Sequence, residues 1–373
     1  MKPKSYEYFF SSPNRLLIFH AVVNYATAEV TDPSRFDRIK AIAAAGLSQE
    51  RFKNKRSFQY PNFPSKDLFY QYFFNEKPDG FDGGLSGTVV DAAFDLLVEK
   101  FILTEDFTPL VYGPVQDQEY VFNRDYTQNL HHHGLLLNAL LGFRYVVDRY
   151  KNSVVKIEVK NANGDFGIGT GWYIDMNNSD NTLGCRLVVT NDHVLANATS
   201  FRILTKDDEL IPHHEVERFQ NRLGVDIAIV RVEAQADVPD FTLGAQPGIL
   251  DEIITIGYPA IPRTRDAYQV VHRGEVNSVV QEYSGQNLLV ISARTSPGHS
   301  GSPVLDELGT VVGIITELLY EKAAFYEQGI SPYFACIPAS IVLETIHPNR
   351  STLTRTYLDW PLAEQTNSGV PLE

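Results

Sequence analysis

A hydroxyl, an imidazole and a carboxylate acting together can attack a carbonyl carbon, and this chain offers one of each in a suitable setting. Ser300 lies in Gly298-His299-Ser300-Gly301-Ser302-Pro303, a glycine-flanked turn followed by the apolar stretch Val311-Val312-Gly313-Ile314-Ile315. Such a turn exposes one hydroxyl beside unengaged backbone N–H groups. Acyl transfer needs both a nucleophile and donors for the oxygen that becomes negative. His193 follows the β-branched run of Leu187-Val188-Val189-Thr190, and Asp226 stands at the mouth of the apolar run Ile227 to Val232. In the chain order His193, Asp226, Ser300, these types supply a base, an orienter of the base and an attacking oxygen.

The stretches around them carry a resemblance. Thr190-Asn191-Asp192-His193-Val194 resembles the TNxHV motif of the trypsin-fold serine peptidases of the HtrA/Deg type. Asp226-Ile227-Ala228-Ile229 resembles that family's DIAL-like motif, and the Ser300 turn its GNSGGP. Gly169-Thr170-Gly171 stands where the family has GSG, and Ile256-Gly257-Tyr258-Pro259 where it has IGNP. Gly274 to Ser278 resembles its GIVS strand, and Phe334-Ala335-Cys336-Ile337-Pro338 its closing FAIP strand. The resemblance runs over residues 150–345. Two positions depart from it. His299 replaces the usual asparagine, and Ser302 replaces the second glycine, as in glutamyl-endopeptidase-like enzymes. No PDZ module is expected in the residues that follow.

The resemblance implies a serine endopeptidase working through an acyl-enzyme, with protein or peptide as substrate and no cofactor or metal. His193 would take the Ser300 proton, and Asp226 would fix the imidazole tautomer. The N–H groups of Gly298 and Ser300 would form the oxyanion hole, a task suited to glycine's conformational range. Arg294, Thr295, Ile315, Thr316 and Leu318 are the expected walls of the first specificity pocket. Arg294 would favour an acidic side chain if it points inward, with a solvent-facing arginine as the plain alternative. Ile315 and Leu318 would favour a small or medium apolar one. Alternation turns His299 away from the site, and Asp192 diverges from its neighbour His193. The segment Ser296-Pro297-Gly298 is a candidate latency switch. The competing reading is a catalytically silent or latent peptidase fold that serves as an adaptor or regulator through protein or nucleic-acid binding of the N-terminal domain.

Presenting these groups requires a β-rich body. Short apolar runs between turn signals predict strands at 153–159, 166–174, 185–190, 201–205, 226–232, 252–257, 269–281, 287–293, 302–305, 311–316 and 332–337, and a helix at 339–346 closes the set. That spacing fits two packed antiparallel barrels with the site in the cleft between them.

The fold class expected for the whole chain is therefore a trypsin-like double β-barrel preceded by a mostly helical domain. The division is 1–145 helical regulatory or interaction domain, 146–348 peptidase domain and 349–373 polar tail. In the first part, Ser12-Pro13 and Asp32-Pro33 read as helix starts, Ser65 as a cap, and Gly46 as a helix end. Val90, Phe94, Leu97 and Phe101 share one helical face, and one long helix is expected over 129–150 with His131-His132-His133 at its start. Leu110-Val111-Tyr112 and Tyr120-Val121-Phe122 read as a hairpin, so helices plus hairpin suggest a winged-helix-like module.

Charge narrows the partners. The formal net charge is −14. Residues 1–150 hold 16 basic and 18 acidic residues, whereas 151–373 hold 16 and 28. The acidic second part should repel nucleic acid and anionic membranes. Arg51-Phe52-Lys53-Asn54-Lys55-Arg56 is the one basic cluster of the first part, read as a solvated loop, so nucleic acid is not an expected partner. A protein-docking or sensing role, with an activating protein partner, is expected there instead. Two cysteines, Cys185 and Cys336, lean toward a reducing compartment and a cytoplasmic site. Export is the alternative if Leu16 to Ala28 belonged to a signal peptide, although His20 interrupts its apolar run. The apolar run from Gly134 to Val147 is too short to span a bilayer.

Overall fold

A computed structural model describes residues 5–105, 119–174, 185–219, 224–233, 235, 238–283, 285–319 and 333–346. The chain forms two compact units, Met1–Tyr145 and Val146–Glu373.

Helices build the first unit: α1 Ser5–Phe10, α2 Pro13–Ala26, α3 Ala28–Thr31, α4 Pro33–Gly46, α5 Arg56–Gln59, α6 Lys66–Asn75, α7 Gly87–Glu99, α8 Arg124–His132 and α9 Leu136–Leu141, while α10 Phe143–Tyr150 runs across the boundary of the two units. The Asp32 carboxylate accepts the Arg35 N–H, and the Ser65 hydroxyl accepts the Leu68 N–H, so both cap their helices. Ser12 precedes α2 in extended conformation but makes no side-chain cap bond; Pro13 alone marks that start. The apolar run of α2 is buried through Ile18, Phe19, Val22 and Val23, and α2 packs on α7 through that unit's core. Val90, Phe94 and Leu97 are buried on α7, but the helix stops at Glu99, and Phe101 is exposed at φ 58°. The single helix expected over 129–150 is three short ones, broken where Gly134 and Gly142 take positive φ. The histidine run therefore ends a helix instead of starting one.

A two-stranded ribbon pairs β1 Leu103–Glu105 with β2 Tyr120–Phe122. The strand expected to pair with Tyr120–Phe122, Leu110 to Tyr112, lies outside the described residues. In the basic cluster, Lys55 bonds Asp67 and Lys53 lies 4.0 Å from Glu50. Arg51 stacks on Phe52 at 4.3 Å and Arg56 on Phe63 at 3.5 Å.

The second unit carries the β structure. Its first body is a seven-stranded antiparallel sheet of β3 Val154–Asn161, β4 Phe166–Ile174, β5 Cys185–Thr190, β6 Ala198–Leu204, β7 Leu210–Ile211, β8 His213–Arg218 and β9 Ala228–Glu233. The spatial order is β7-β6-β3-β4-β5-β9-β8, and its pairs do not close a ring among the described residues. Val155, Ile157, Tyr173, Val188 and Val230 fill its core. The second body is a closed barrel: β10 Glu252–Gly257, β11 Val270–Gln281, β12 Asn287–Ile291, β13 Pro303–Leu305, β14 Val311–Leu319 and β15 Tyr333–Pro338, in the order β10-β11-β12-β15-β14-β13. Ile253, Leu289, Val304, Val312 and Cys336 fill it, and burial drives the Cys336 thiol pKa far up. Two short helices complete the unit, α11 Asp192–Ala196 and α12 Ala339–Ile346. The expected tail 349–373 and the Cys185 side chain lie outside the described residues. Among the described residues no helix is long and apolar enough to cross a membrane.

Candidate active site

The polar turn after β5 winds into α11, which carries His193. Its Nδ1 lies 2.7 Å from Asp226 Oδ2, and its backbone N–H donates to Asp226 Oδ1 at 2.9 Å. A carboxylate can only accept here, so Nδ1 carries the proton and Nε2 keeps a lone pair in the neutral ring. The imidazole side chain is 48 % exposed and the carboxylate 21 %, so the ring faces solvent while its orienter is sheltered. Asp226 stands two residues before β9, and Asn191 Nδ2 donates to its carbonyl at 2.8 Å. The neighbouring Asp192 is buried and receives Arg218 of β8 through two oxygens, at 3.0 and 2.7 Å. That fork pins the N-terminal end of α11 to the sheet.

Ser300 is presented by backbone geometry. Gly298 at φ 98° and Gly301 at φ 87° bracket it. A Cβ on Gly298 would meet the Tyr258 oxygen at 2.3 Å, and one on Gly301 the Thr170 oxygen at 2.1 Å, so glycine is required at both on two counts. Thr170 of β4 reaches across from the other body. Its N–H donates to the Ser300 oxygen at 2.9 Å, and its hydroxyl to the Gly298 oxygen at 2.7 Å. The Pro297 oxygen accepts from the Ala260 N–H at 2.9 Å. With those carbonyls turned inward, the N–H groups of Gly298 and Ser300 donate to no backbone oxygen among the described residues. Two such donors flanking one hydroxyl can receive a negative oxygen.

Thr316 of β14 joins the two halves. Its hydroxyl donates to Asp226 Oδ2 at 2.7 Å, and its carbonyl accepts from the Ser300 hydroxyl at 3.3 Å. Thr316 thus links Ser300 to the Asp226 carboxylate that holds His193. The structure gives the expected pocket residues separate settings. Arg294 is exposed, Thr295 half-buried, and Ile315 is packed into the barrel core. Thr316 turns its hydroxyl to Asp226 and so braces the carboxylate. The Leu318 side chain lies outside the described residues.

Ser300 is half-buried, whereas His299 is buried, at 1 % exposed. Burial, then the nearby His272, pushes its pKa down to about 4. Sequence reasoning missed Thr170, Arg218 and the bracing role of Thr316. Gly169-Thr170-Gly171 was visible as a motif, but nothing local announces a hydroxyl that crosses to another body. Among the described residues no three His, Cys, Asp or Glu side chains gather to hold a metal.

Residues 169–314 match the trypsin-like peptidase domain family. The magnetosome formation protease MamE of Paramagnetospirillum magneticum is 27% identical over 216 residues, covering 51% of this chain and 29% of that protein. A serine protease DegP homolog of Plasmodium falciparum is 38% identical over 136 residues, covering 34% of this chain and 15% of that protein. This chain therefore spans less than a third of the length of either relative. The solved serine endoprotease from Yersinia pestis is 19% identical, with a TM-score of 0.42, over 55% of this chain and 65% of that one. The matched residues include His193, Asp226 and Ser300, and the second unit of this chain thus resembles a trypsin-like peptidase domain.

Proposed function

We propose that the chain is a serine endopeptidase acting on protein or peptide substrates. His193 Nε2 removes the Ser300 proton as Oγ attacks the scissile carbonyl. The imidazolium that forms is stabilised by Asp226, and the carbonyl oxygen, now negative, is received by the N–H groups of Gly298 and Ser300. The tetrahedral carbon expels the amine, to which His193 returns the proton. A water, deprotonated by the same Nε2, then releases the acyl group from Ser300. The observation that carries this reading is the Asp226 carboxylate, which receives His193 twice and Thr316 once while Thr316 also holds Ser300. For the first step the Ser300 hydroxyl must leave the Thr316 carbonyl and turn to the imidazole.

That same bond supports the second reading, a latent or silent peptidase fold acting as an adaptor. The first unit is assigned a docking or gating role toward a protein. Its clustered cations each meet an acid or an aromatic ring, which disfavours a phosphate-binding face. A fluorophosphonate probe on the full chain separates the two readings. An adduct on Ser300, located by mass spectrometry and lost in His193→Ala, supports the peptidase. A folded chain that forms no adduct favours the adaptor. Cleavage of an unbiased peptide library would then report subsite preference.

A further inference from the structure

His299, the residue before Ser300, has no part in the steps above, yet it is buried and bonded to the turn that carries Gly298. We propose that neutral His299 is a positioning residue: its ring holds Ser296-Pro297-Gly298 in the conformation that offers the Gly298 N–H to the oxyanion, and protonation of the ring releases it. This rests on the peptidase reading.

Three contacts tie His299 to Ser296, the longest being the Ser296 hydroxyl at 3.5 Å from Nδ1. The His299 N–H donates to the Ser296 oxygen at 2.9 Å, and the Ser296 N–H donates to His299 Nδ1 at 3.2 Å. The second exists only while Nδ1 is unprotonated, so the proton of the neutral ring sits on Nε2. The turn is held elsewhere by Ala260 on Pro297 and Thr170 on Gly298, and neither of those bonds involves a titrating group. The ring bond is therefore the pH-sensitive one of this set.

The surroundings oppose a second proton. The His299 Cδ2 lies 3.2 Å from where a Cβ of Gly257 would stand, which seats the ring against β10. From β11 the His272 ring faces it at 5.3 Å, and His272 itself feels Arg294. Thr255 of β10 pairs in register with His272. His299 Nε2, Ser302 Oγ and Thr255 Oγ1 are buried with no hydrogen-bond partner among the described residues. The facing groups are thus one imidazole, one guanidinium beyond it and neutral hydroxyls; none is an acid. A cationic ring would lose the bond from the Ser296 backbone N–H, keep at most a 3.5 Å contact to the Ser296 hydroxyl, and meet like charge without a counter-ion. The low pKa of His299 follows from the same burial and the same neighbour.

The test measures the second-order rate of fluorophosphonate labelling of Ser300, because the phosphoryl oxygen of the adduct occupies the oxyanion position. In His299→Leu the acceptor is gone, and labelling at pH 7.5 should fall roughly 10- to 100-fold, somewhat less than loss of a whole oxyanion donor. In His299→Asn the amide oxygen takes the place of Nδ1 without titrating, and labelling should stay close to wild type. Between pH 6 and 4 the wild type should lose more than His299→Asn does. Both keep His193, so their ratio isolates the ring of His299. A folded His299→Leu that labels at the wild-type rate overturns the proposal, as does a flat ratio across that range. If His299→Leu does not fold, the ratio decides alone. If wild type forms no Ser300 adduct, the peptidase reading fails first and takes this one with it. Labelling of wild type with an unchanged Leu variant sinks only the role of His299.

Discussion

The seven-stranded sheet and the closed barrel each supply part of the candidate site, and they hold it by different means. The sheet aims His193 through side chains: Asp226 takes the ring and the backbone of His193, and Arg218 forks onto Asp192. The barrel aims Ser300 through backbone: two left-handed glycines and three carbonyls tied down by Thr170 and Ala260. The division follows from the chemistry. A proton acceptor needs an oriented ring and a fixed tautomer, which a carboxylate supplies. An oxyanion hole needs N–H groups aimed outward, which only the backbone path can supply. Substitutions should therefore damage the two halves in different ways.

The sharpest contrast comes from one change in each half. Asp226→Asn keeps the size of the side chain and should leave the fold intact, but it presents an amide to Nδ1 and favours the wrong tautomer. Peptide hydrolysis should fall about 10⁴-fold in kcat with little change in the thermal unfolding midpoint. Gly301→Ala should lose activity and stability together. Its methyl has the Thr170 oxygen at 2.1 Å and a backbone at φ 87° to contend with. Calorimetry alongside kinetics would tell them apart. If Gly301→Ala lowered activity without touching stability, the backbone account of the barrel half would be wrong.

The buried fork of the sheet comes next in size. Arg218→Ala leaves Asp192 buried without its cation, at a cost of about 3 kcal/mol, the lower end for such pairs because Arg218 is partly exposed. Urea unfolding should show the loss. Replacing both residues with leucine should recover much of it, since no charge then remains unpaired. An unaltered midpoint in Arg218→Ala would remove the fork from the account of how α11 is held.

How far the sequence reached follows the same division. Strand positions across the second unit were legible because alternation and turn residues are local signals, and the three chemistry-bearing residues sit in short motifs. Two strands went unread, β8 and the two-residue β7. β8, His-His-Glu-Val-Glu-Arg, lies at the sheet edge with mostly exposed residues, so it shows no apolar alternation. Missing β8 meant missing Arg218, and without Arg218 the carboxylate of Asp192 looked merely misdirected. In the first unit, periodicity ran through Gly134 and Gly142 and suggested one helix where backbone sign changes make three. Phe101 kept the helical spacing of Val90, Phe94 and Leu97, but α7 had already ended. Pattern reports which residues could share a face; it does not report where the chain turns out of it.

Thr316 offers the mildest break, and it tests whether the two halves are coupled. Sequence reasoning made it a pocket wall. The structure gives its hydroxyl to Asp226 and its carbonyl to Ser300, so one residue of the barrel touches the carboxylate of the sheet. Thr316→Val removes only the hydroxyl at nearly constant shape, and the carbonyl bond to Ser300 survives. A hydrogen bond to a charged group contributes about 1.5–3 kcal/mol, and Asp226 keeps two other donors. The expected loss in kcat/KM is therefore near the lower end, about tenfold, with KM little changed, and Thr316→Ser should restore most of it. A change confined to KM, or to the preferred residue in a cleaved peptide library, would return Thr316 to the pocket. A kcat effect rescued by serine would make it the brace through which the barrel steadies the acid of the sheet.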